Sequence, residues 1–417
     1  MSVKLQFKHL DIGHRYVESL SRIEDWARFM DRVIKDTKFK DLTNERIDRS
    51  IELIRNGLGL NEVQKTLSLG KKEAAIIFEL AHSRINLKEK FKGWEKLWMD
   101  QYLSRYSTPE IVCRYRAERI HGFNIVEAGT GAGMQGIFLS LTNESTVSVE
   151  VQADRYRMAR LNSREYRTGK IKFLKGDIYD LSKDFEIDEH TLIFSDPARP
   201  PNELRRTMDS LIPSPLSLVK VFGDRTHNFV FDLPPQMEWN QISIDGEKEY
   251  LSIDGNLNRL TLYCGSLKEA ESSAVILPQN IRISGTPKET TFPDAARLDE
   301  FILIPDISIV YAKLLWILEE KYEIRPAWKD NRRRFYTSHG KIENFPGEQY
   351  EIVSASRIGD LPGNLREAGA GKVIIRFSLP ESQYYAVKKE LESNLIGKEN
   401  LYIFRKDDVY FVGRKIS

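Results

Sequence analysis

Residues 124–135 read N-I-V-E-A-G-T-G-A-G-M-Q, and this stretch decides the fold of the chain. A short apolar run ends at an acid, Glu127, and residues 136–140 (G-I-F-L-S) can continue as a helix. Between them stand three alternate glycines, Gly129, Gly131 and Gly133. Glycine adopts the backbone dihedrals of a tight turn and lets the backbone approach a ligand closely. The pattern therefore predicts a strand, a glycine turn and a helix, the ligand-binding end of a βαβ unit.

The spacing of these glycines separates two kinds of ligand site. A dinucleotide fingerprint has the spacing G-x-G-x-x-G, and its last position is Met134 here. The pattern is E-x-G-x-G-x-G instead, which resembles motif I of the class I S-adenosylmethionine (SAM) methyltransferases. A glycine loop with a purely structural role is the alternative, and the residues downstream decide between the two.

Two acids follow predicted strands downstream of the turn. An alternating strand over residues 146–149 ends at Glu150, about 20 residues past the glycine turn. A carboxylate there can accept hydrogen bonds from both hydroxyls of a ribose, and a solvated Glu150 is the alternative. A third strand over residues 171–174 is closed by Gly176 and Asp177, where an acid typically meets an adenine amino group in this fold.

A fourth predicted strand, residues 191–194, runs into Asp196, Pro197, Ala198 and Arg199. Ligands of a doubly wound sheet bind at the carboxyl ends of its strands, so Asp196 joins the glycine turn and the two earlier acids at one edge. We expect Asp196 to orient an acceptor amine or hydroxyl, or to accept its proton. Pro197 would hold the turn so that backbone carbonyls point inward. Arg199 either pairs with a phosphate bidentately or forms a salt bridge within the fold.

The chain before the glycine turn reads as helical. Apolar residues at helical spacing predict a helix with a polar start at Thr43, and a second helix is predicted over residues 71–81. Pro109 suits the first position of a further helix, capped by Ser107 or Thr108. This helix either closes over a cofactor or serves as a scaffold.

The segment after the fourth strand predicts the far edge of the sheet. A fifth strand is predicted over residues 229–231, and residues 250–253 and 260–263 form a hairpin whose turn lies near Asp254 and Gly255. Residues 272–293 are rich in Ser, Thr and Pro and are predicted to be a connector.

The last third of the chain predicts a small α+β module. Residues 309–319 are strongly apolar and predict a single helix. A β-α-β-β order is then predicted, with its hairpin turn at Asp407 and Asp408. Its strands and helix are expected, in order, over residues 372–377, 383–391, 401–404 and 409–412.

Composition excludes several classes of protein. Net charge is +2 and 41% of the residues are hydrophobic, which supports real cores and does not by itself indicate nucleic acid. The two cysteines, Cys113 and Cys264, make neither a disulfide framework nor a metal cluster. We expect no metal, no membrane span and no signal peptide, and a cytoplasmic location.

Taken together, the motifs are similar to those of the THUMP-like-domain class I SAM methyltransferases of archaea and bacteria. The resemblance runs from about residue 80 to the end, with many short matches that occur in the same order. These matches are Y-S-T-P-E-I-V (106–112), Y-R-A-E-R (115–119), E-A-G-T-G-A-G (127–133), D-P-A-R (196–199), E-Y-L-S-I-D-G (249–255), L-T-L-Y (260–263) and I-P-D-I-S-I-V-Y-A-K (304–313).

The resemblance implies an α/β fold with a Rossmann-like class I methyltransferase sheet, SAM as cofactor and an RNA substrate, tRNA or rRNA. The expected domains are a helical domain (1–100), the methyltransferase domain (101–270), a connector with a ferredoxin-like region (271–350) and a THUMP-like α+β module (351–417). The residues expected to bind SAM are Glu127, Gly129, Gly131, Gly133, Glu150, Asp177 and Asp196.

The D-P-A-R motif narrows the expected reaction. Methyltransferases acting on nucleobase amines usually have D-P-P-Y or N-P-P-Y, whose aromatic ring stacks on the target base, and Arg199 takes that position here. The motif also resembles the D-P-P-R of uracil-5 methyltransferases, which need a cysteine nucleophile soon afterwards. Cys264 lies far downstream and Cys113 lies before the turn. N- or O-methylation is therefore favoured over covalent C5 methylation.

RNA contact is expected from basic clusters, for which a solvated surface is the alternative. The residues concerned are Arg155, Arg157, Arg160, Arg164, Arg167, Arg205, Arg206, Arg332, Arg333 and Arg334. Two rival functions stay open at this point. One is a methyltransferase for a protein or small metabolite, and the other is a non-catalytic protein that binds SAM or RNA.

Overall fold

The computed structural model describes residues 13–198, 207–292, 298–331 and 333–416. The chain divides into two compact units. Unit 1 comprises Met1–Leu233, Met237–Asp245 and Tyr263–Leu267. Unit 2 comprises Pro234–Gln236, Gly246–Leu262 and Lys268–Ser417.

The described part of unit 1 starts with six α-helices. They are α1 (Gly13–Lys35), α2 (Thr37–Arg55), α3 (Leu60–Thr66), α4 (Lys71–Leu87), α5 (Gln101–Tyr106) and α6 (Glu110–Arg119). The predicted start of α2 at Thr43 is wrong, because Asp36 caps the helix earlier by accepting a hydrogen bond from the backbone N–H of Phe39 at 3.1 Å. Pro109 takes the N-cap position of α6 rather than its first helical position.

The helices of unit 1 lead into five parallel strands. The strands are β1 (Asn124–Ala128), β2 (Ser145–Glu150), β3 (Ile171–Lys175), β4 (Thr191–Ser195) and β5 (Asn228–Leu233). They lie in the order β3-β2-β1-β4-β5. The connecting helices are α7 (Met134–Thr142), α8 (Ala153–Tyr166) and α9 (Pro215–Phe222). All five predicted strands are confirmed, each within three residues.

A continuous apolar core joins the N-terminal helices to this sheet. One cluster of buried side chains runs from Trp26 on α1 through Ile77 on α4 to Phe138 and Met158 on α7 and α8. The helices therefore cover α7 and α8 instead of folding around a core of their own.

The amide of Asn162 fastens this helical layer to the glycine turn. The side chain is fully buried on α8. Its Oδ1 accepts from the backbone N–H of Trp98 at 2.8 Å, and its Nδ2 donates to the carbonyls of Trp98 at 3.0 Å and Ala132 at 2.9 Å. One side chain thus fixes the segment before α5 and the segment before α7 against each other.

Unit 2 contains a first group of strands that includes the predicted hairpin. Its strands are β6 (Glu247–Ile253), β7 (Asn256–Tyr263), β8 (Ser272–Leu277) and β9 (Ile281–Gly285), in the order β7-β6-β8-β9. The hairpin turn is confirmed, since Asp254 and Gly255 have positive φ values of 49° and 72°.

The connector predicted over residues 272–293 is wrong, because its first half forms β8 and β9. Strand β8 is buried along its whole length. Its serines are not solvated: the Ser272 hydroxyl donates to the carbonyl of Ala312 at 2.9 Å, and the Ser273 hydroxyl donates to Glu247. Serine-rich composition indicated a loop, whereas buried partners let these serines stand in a strand.

The single helix predicted over residues 309–319 is also wrong. The segment forms α10 (Ile307–Tyr311) and α11 (Leu315–Lys321). Between them Lys313 has a φ of 59°, and its carbonyl accepts from the backbone N–H of Lys288 at 2.9 Å. This left-handed residue ends the first helix before the apolar pattern does.

Unit 2 also contains a separate seven-stranded sheet. Its strands are β10 (Phe301–Pro305), β11 (Arg325–Lys329), β12 (Arg334–Ser338), β13 (Gly347–Ser356), β14 (Ala370–Ile375), β15 (Glu399–Lys406) and β16 (Val409–Lys415). They lie in the order β11-β12-β10-β13-β16-β15-β14, and α12 (Leu361–Glu367) and α13 (Glu381–Glu392) complete the elements.

The predicted β-α-β-β order of the last module is confirmed as β14-α13-β15-β16, with Asp407 at a φ of 52° in the hairpin turn. The predicted boundary at residue 350 falls inside β13, which pairs with β10 on one side and β16 on the other. One sheet therefore spans both sides of that boundary.

Asn162→Ala is expected to lower the free energy of unfolding by at least about 2 kcal/mol, because it leaves buried backbone groups of Trp98 and Ala132 without partners. Urea unfolding followed by far-UV circular dichroism measures the change. Asn61→Ala, at an exposed position of α3, is the matched control and is expected to change little. Equal midpoints for the two variants would contradict the role of Asn162.

Candidate cofactor site

Strand register brings the predicted site residues to one edge of the unit 1 sheet. Ala128 at the end of β1 is level with Val149 on β2 and Ser195 on β4. The next residues in the three chains, Gly129, Glu150 and Asp196, therefore follow side by side. The strand order reverses between β1 and β4, and such a switch point is where an open α/β sheet binds its ligands.

The glycine turn has the conformation that its sequence requires. Gly129, Gly131 and Gly133 have φ values of 84°, 56° and 84°, in the region that favours glycine. The backbone N–H of Gly129 donates to the carbonyl of Val149 at 3.0 Å. A Cβ on Gly133 would stand 2.8 Å from the Cβ of Ala159, so this glycine also permits close packing of α7 against α8.

The Glu127 carboxylate lies beneath the turn and is almost fully buried. Its Oε2 accepts hydrogen bonds from the hydroxyls of Thr130 and Ser148, each at 2.6 Å, and the backbone of Gly136 donates a further one. Burial raises the pKa of Glu127. The geometry makes this acid a buttress of the turn, and its predicted contact with a cofactor stays a prediction.

Glu150 supports the same turn from the neighbouring strand. Its Oε2 accepts from the backbone N–H of Gly131 at 2.8 Å, and its Oε1 accepts from the N–H of Gln152 at 2.8 Å. Each carboxylate oxygen can accept more than one hydrogen bond, so further acceptor capacity stays available. Burial raises the pKa of Glu150.

Asp177 stands two residues past the end of β3 and is half-buried. Its Oδ1 accepts from the backbone N–H of Tyr179 at 2.9 Å. Since Lys175 is level with Glu150 in the β2–β3 register, Asp177 lies farther along the same edge, beyond Glu150.

The motif that begins at Asp196 is divided between exposed and buried positions. Asp196 is exposed, and the hydroxyl of Thr108 donates to its Oδ2 at 3.4 Å. Pro197 is buried, and Ala198 exchanges two backbone hydrogen bonds with Ile212, at 2.7 and 3.0 Å. Arg199 lies outside the described residues, as do Arg205, Arg206 and Arg332.

The loop that carries Thr108 is held by an ammonium group that the sequence did not single out. The Nζ of Lys90 donates to the carbonyls of Ser104, Arg105 and Ser107, at 2.9, 2.6 and 3.4 Å. A cation at the last carbonyls of a helix stabilises that end. Lys90 thereby fixes the end of α5 and the approach of Thr108 to Asp196.

A buried ion pair behind the site was also missed. Arg116 on α6 donates from one Nη to both carboxylate oxygens of Asp232, at 2.6 and 2.7 Å, and from the other to Gln135 at 2.5 Å. Although burial opposes it, the Asp232 carboxylate holds the pKa of Arg116 above its ordinary value. The sequence placed Asp232 at a strand end, but nothing in it pointed to this partner.

The arginines of α8 are partly used within the fold. Arg157 forms an ion pair with Asp31 of α1 at 2.7 Å, and Arg164 donates to the carbonyl of Ile34 at 3.2 Å. These two positions of the predicted basic cluster therefore hold α1 in place. Arg155 lies over the ring of Tyr102, and Arg160 lies over that of Tyr156.

The described part of the chain holds neither a metal-binding cluster nor a membrane-spanning helix. No cluster of three or more His, Cys, Asp or Glu side chains there could hold a metal ion. None of the helices that the structure describes has both the length and the apolar character to cross a membrane.

Comparison with solved structures identifies the fold. A candidate methyltransferase from Porphyromonas gingivalis W83 matches with a TM-score of 0.69 and 16% identity, over 84% of this chain and 92% of that one. TrmK of M. capricolum, solved with S-adenosyl-homocysteine (SAH), matches at a TM-score of 0.28 and 10% identity, over 38% of this chain and 68% of its own. No family model matches the chain. The predicted Rossmann-like α/β fold is confirmed, and it is shared with the matched Porphyromonas gingivalis structure. The THUMP-like assignment stays a prediction.

Gly136→Ala is expected to lower the free energy of unfolding by about 1–3 kcal/mol, as overpacking does. The added Cβ would stand 2.3 Å from Glu127 Oε2 and 2.6 Å from Ser148 Oγ, both of which are buried. Gly169→Ala is the matched control, because nothing lies within 4 Å of the added Cβ there. Urea unfolding compares them, and an equally stable Gly136→Ala variant would rule out the close packing of Glu127 described above.

Proposed function

We propose that the protein is a SAM-dependent methyltransferase. One observation carries the proposal: at the switch point of a methyltransferase-type sheet, the glycine turn, the Glu150 carboxylate and the exposed Asp196 stand in adjacent positions. The turn and the acid would bind the cofactor, and the exposed acid would face the acceptor.

The residues present fit SAM chemically. Neither Gly129 nor Gly131 has a Cβ, and both adopt the positive φ of a tight turn, so the backbone of the turn can approach a ligand closely. Glu150 retains acceptor capacity for ribose hydroxyls, and the half-buried Asp177 can accept from an adenine amino group. When bound, SAM supplies a methyl group on a positively charged sulfonium, which an acceptor attacks in line.

The acceptor side is assigned to Asp196. Its carboxylate would orient an acceptor N–H or O–H and take up the proton that the acceptor loses. Thr108 would orient that carboxylate through its hydroxyl, and the buried Pro197 would fix the backbone behind it. A role for Arg199 in substrate binding remains part of the proposal from sequence.

We propose an RNA substrate, tRNA or rRNA, modified on nitrogen or oxygen. Both cysteines are buried, and the Sγ of Cys113 donates to the carbonyl of Thr108 at 3.5 Å. A buried thiol is poorly placed to act as the exposed nucleophile that C5 methylation needs. The ferredoxin-like and THUMP-like modules of unit 2 are proposed, from the sequence resemblance, to contribute to RNA binding.

Glu150→Ala and Gly131→Asp are each expected to weaken SAH binding at least about tenfold, because one removes charged hydrogen-bond acceptors and the other places a strained side chain in the turn. Isothermal titration calorimetry measures the affinity. Glu189→Ala and Gly169→Asp are matched controls at exposed positions. Wild-type SAH affinity in both site variants would contradict the assignment of Glu150 and the glycine turn to the cofactor site.

The same titration, repeated over a range of pH, tests the protonation state of Glu150. The pKa of Glu150 is raised, so its carboxylate is lost as pH falls through that raised value. SAH affinity of the wild type is therefore expected to decrease as pH falls through that range, whereas Glu150→Gln should be weaker and lack this part of the dependence.

Asp196→Ala is expected to lose about 10²- to 10⁴-fold in methyl transfer, the range for a general base. SAH titration of the same variant measures whether Asp196 also contributes to cofactor affinity, as the resemblance implies. Transfer is measured with radiolabelled SAM and fractionated RNA and protein from cells lacking the gene. Asp184→Ala, an exposed aspartate on the same unit, is the control.

Label in an RNase-sensitive fraction would support RNA as the substrate. Label only in protein would replace RNA by a protein substrate. SAH binding without transfer to either fraction would contradict the proposed RNA activity, and an unchanged rate for Asp196→Ala would remove this residue from the site.

A further inference from the structure

Two tyrosine rings project from α5 into solvent. Tyr102 and Tyr106 are one helical turn apart, with ring centroids 4.8 Å apart, and they are 50% and 59% exposed. Between them in sequence, Leu103 and Ser104 are buried. The helix thus turns Leu103 and Ser104 inward and leaves half or more of each tyrosine exposed to solvent.

The position of α5 places these rings beside the candidate cofactor site. A Cβ on Gly131 would lie 3.6 Å from Leu103 Cδ2, so the middle of α5 packs against the glycine turn. The loop that follows α5 reaches Asp196 through Thr108. The tyrosines therefore lie on a short helix that spans from the turn to the acceptor side.

An arginine side chain of α8 lies beside the α5 tyrosines. The Arg155 guanidinium lies 5.4 Å from the centroid of Tyr102, and its buried Nε–H has no hydrogen-bond partner among the described residues. On the same helix, Arg160 lies 5.6 Å from the ring of Tyr156. Arg155 is thus placed against a ring of α5, unlike Arg157 and Arg164, which bind α1.

We propose that this tyrosine–arginine platform, formed by Tyr102, Tyr106 and Arg155, binds bases and phosphates of single-stranded RNA next to the methyl acceptor. Exposed aromatic rings stack bases of any sequence, and guanidinium groups beside them contact the backbone. The inference rests on the proposed function, since it assigns to the platform the nucleotides that flank the acceptor.

A platform of this kind makes two separable contributions to binding. Stacking depends on the rings and is insensitive to salt, whereas each phosphate contact adds to the dependence of affinity on salt concentration. Removing rings should lower affinity at every salt concentration, and removing arginines should reduce the salt slope.

The test measures binding of a fluorescein-labelled 12-nucleotide oligo(U) RNA to the full chain by fluorescence anisotropy, across a salt series. The Tyr102→Ala, Tyr106→Ala double variant is expected to bind about tenfold more weakly or worse, with an unchanged salt slope. Tyr102→Phe, which keeps the ring, should bind like the wild type. Arg155→Ala should reduce the slope by about one.

Leu141→Ala is the matched control, because Leu141 is a large side chain, 50% exposed, near the end of α7 that lies away from the glycine turn. Thermal unfolding checks that every variant is folded, and SAH affinity is measured in parallel. Oligo(U) affinity that is unchanged in the double variant, or no oligo(U) binding by the wild type, would overturn the platform.

Parallel SAH titration separates this inference from the proposed function. A tenfold loss of SAH affinity in the double variant would assign the rings to the cofactor and overturn the platform as an RNA site. Loss of oligo(U) binding with normal SAH affinity would support it. A wild type that binds oligo(U) through these rings but binds no SAH would support the platform and contradict the methyltransferase proposal.

Discussion

The structure of the site depends on one buried carboxylate, that of Glu127. Three donors converge on it from three elements: the hydroxyl of Thr130 in the turn, the hydroxyl of Ser148 on β2 and the backbone of Gly136 on α7. Burying a charged group is costly unless hydrogen bonds compensate, so these donors must be present together. The requirement extends to Gly136 itself, because a Cβ there would collide with the carboxylate. One side chain therefore fixes the turn relative to two strands and a helix.

The N-terminal helices become part of the same arrangement through Asn162 and Leu103. The first ties the chain before α5 to the carbonyl of Ala132, and the second packs close to Gly131. Because the core also continues from α1 to α8, the geometry of the turn depends on residues more than 100 positions earlier in the chain. We infer that the N-terminal helices support the glycine turn structurally.

The glycine turn could be predicted from sequence because its information is local. The positive φ values at Gly129 and Gly131 favour glycine, so the sequence itself shows where the turn lies. An acidic residue lies at or just after the end of each of the first five predicted strands. Long-range partners leave no such mark. Arg116 and Asp232, for example, are 116 positions apart. The predicted connector was wrong because the Ser272 hydroxyl donates to the distant carbonyl of Ala312, a partner that local composition cannot indicate. Lys313 broke a helix whose apolar pattern was continuous, for the same reason.

The acids at the strand ends differ in what the fold leaves them to do. Ser195 is level with Phe231, so Asp196 and Asp232 follow at neighbouring positions of the sheet edge. Asp232 is buried, and both of its carboxylate oxygens accept hydrogen bonds from Arg116, whose positive charge balances that of the carboxylate. Glu127 and Glu150 are likewise buried and hold the turn. Asp196 alone of these four is exposed, and a carboxylate that must meet an acceptor and take its proton has to be reachable from solvent. Burial thus separates the three acids that hold the turn and its surroundings from Asp196, whose exposure supports the catalytic role that we propose for it.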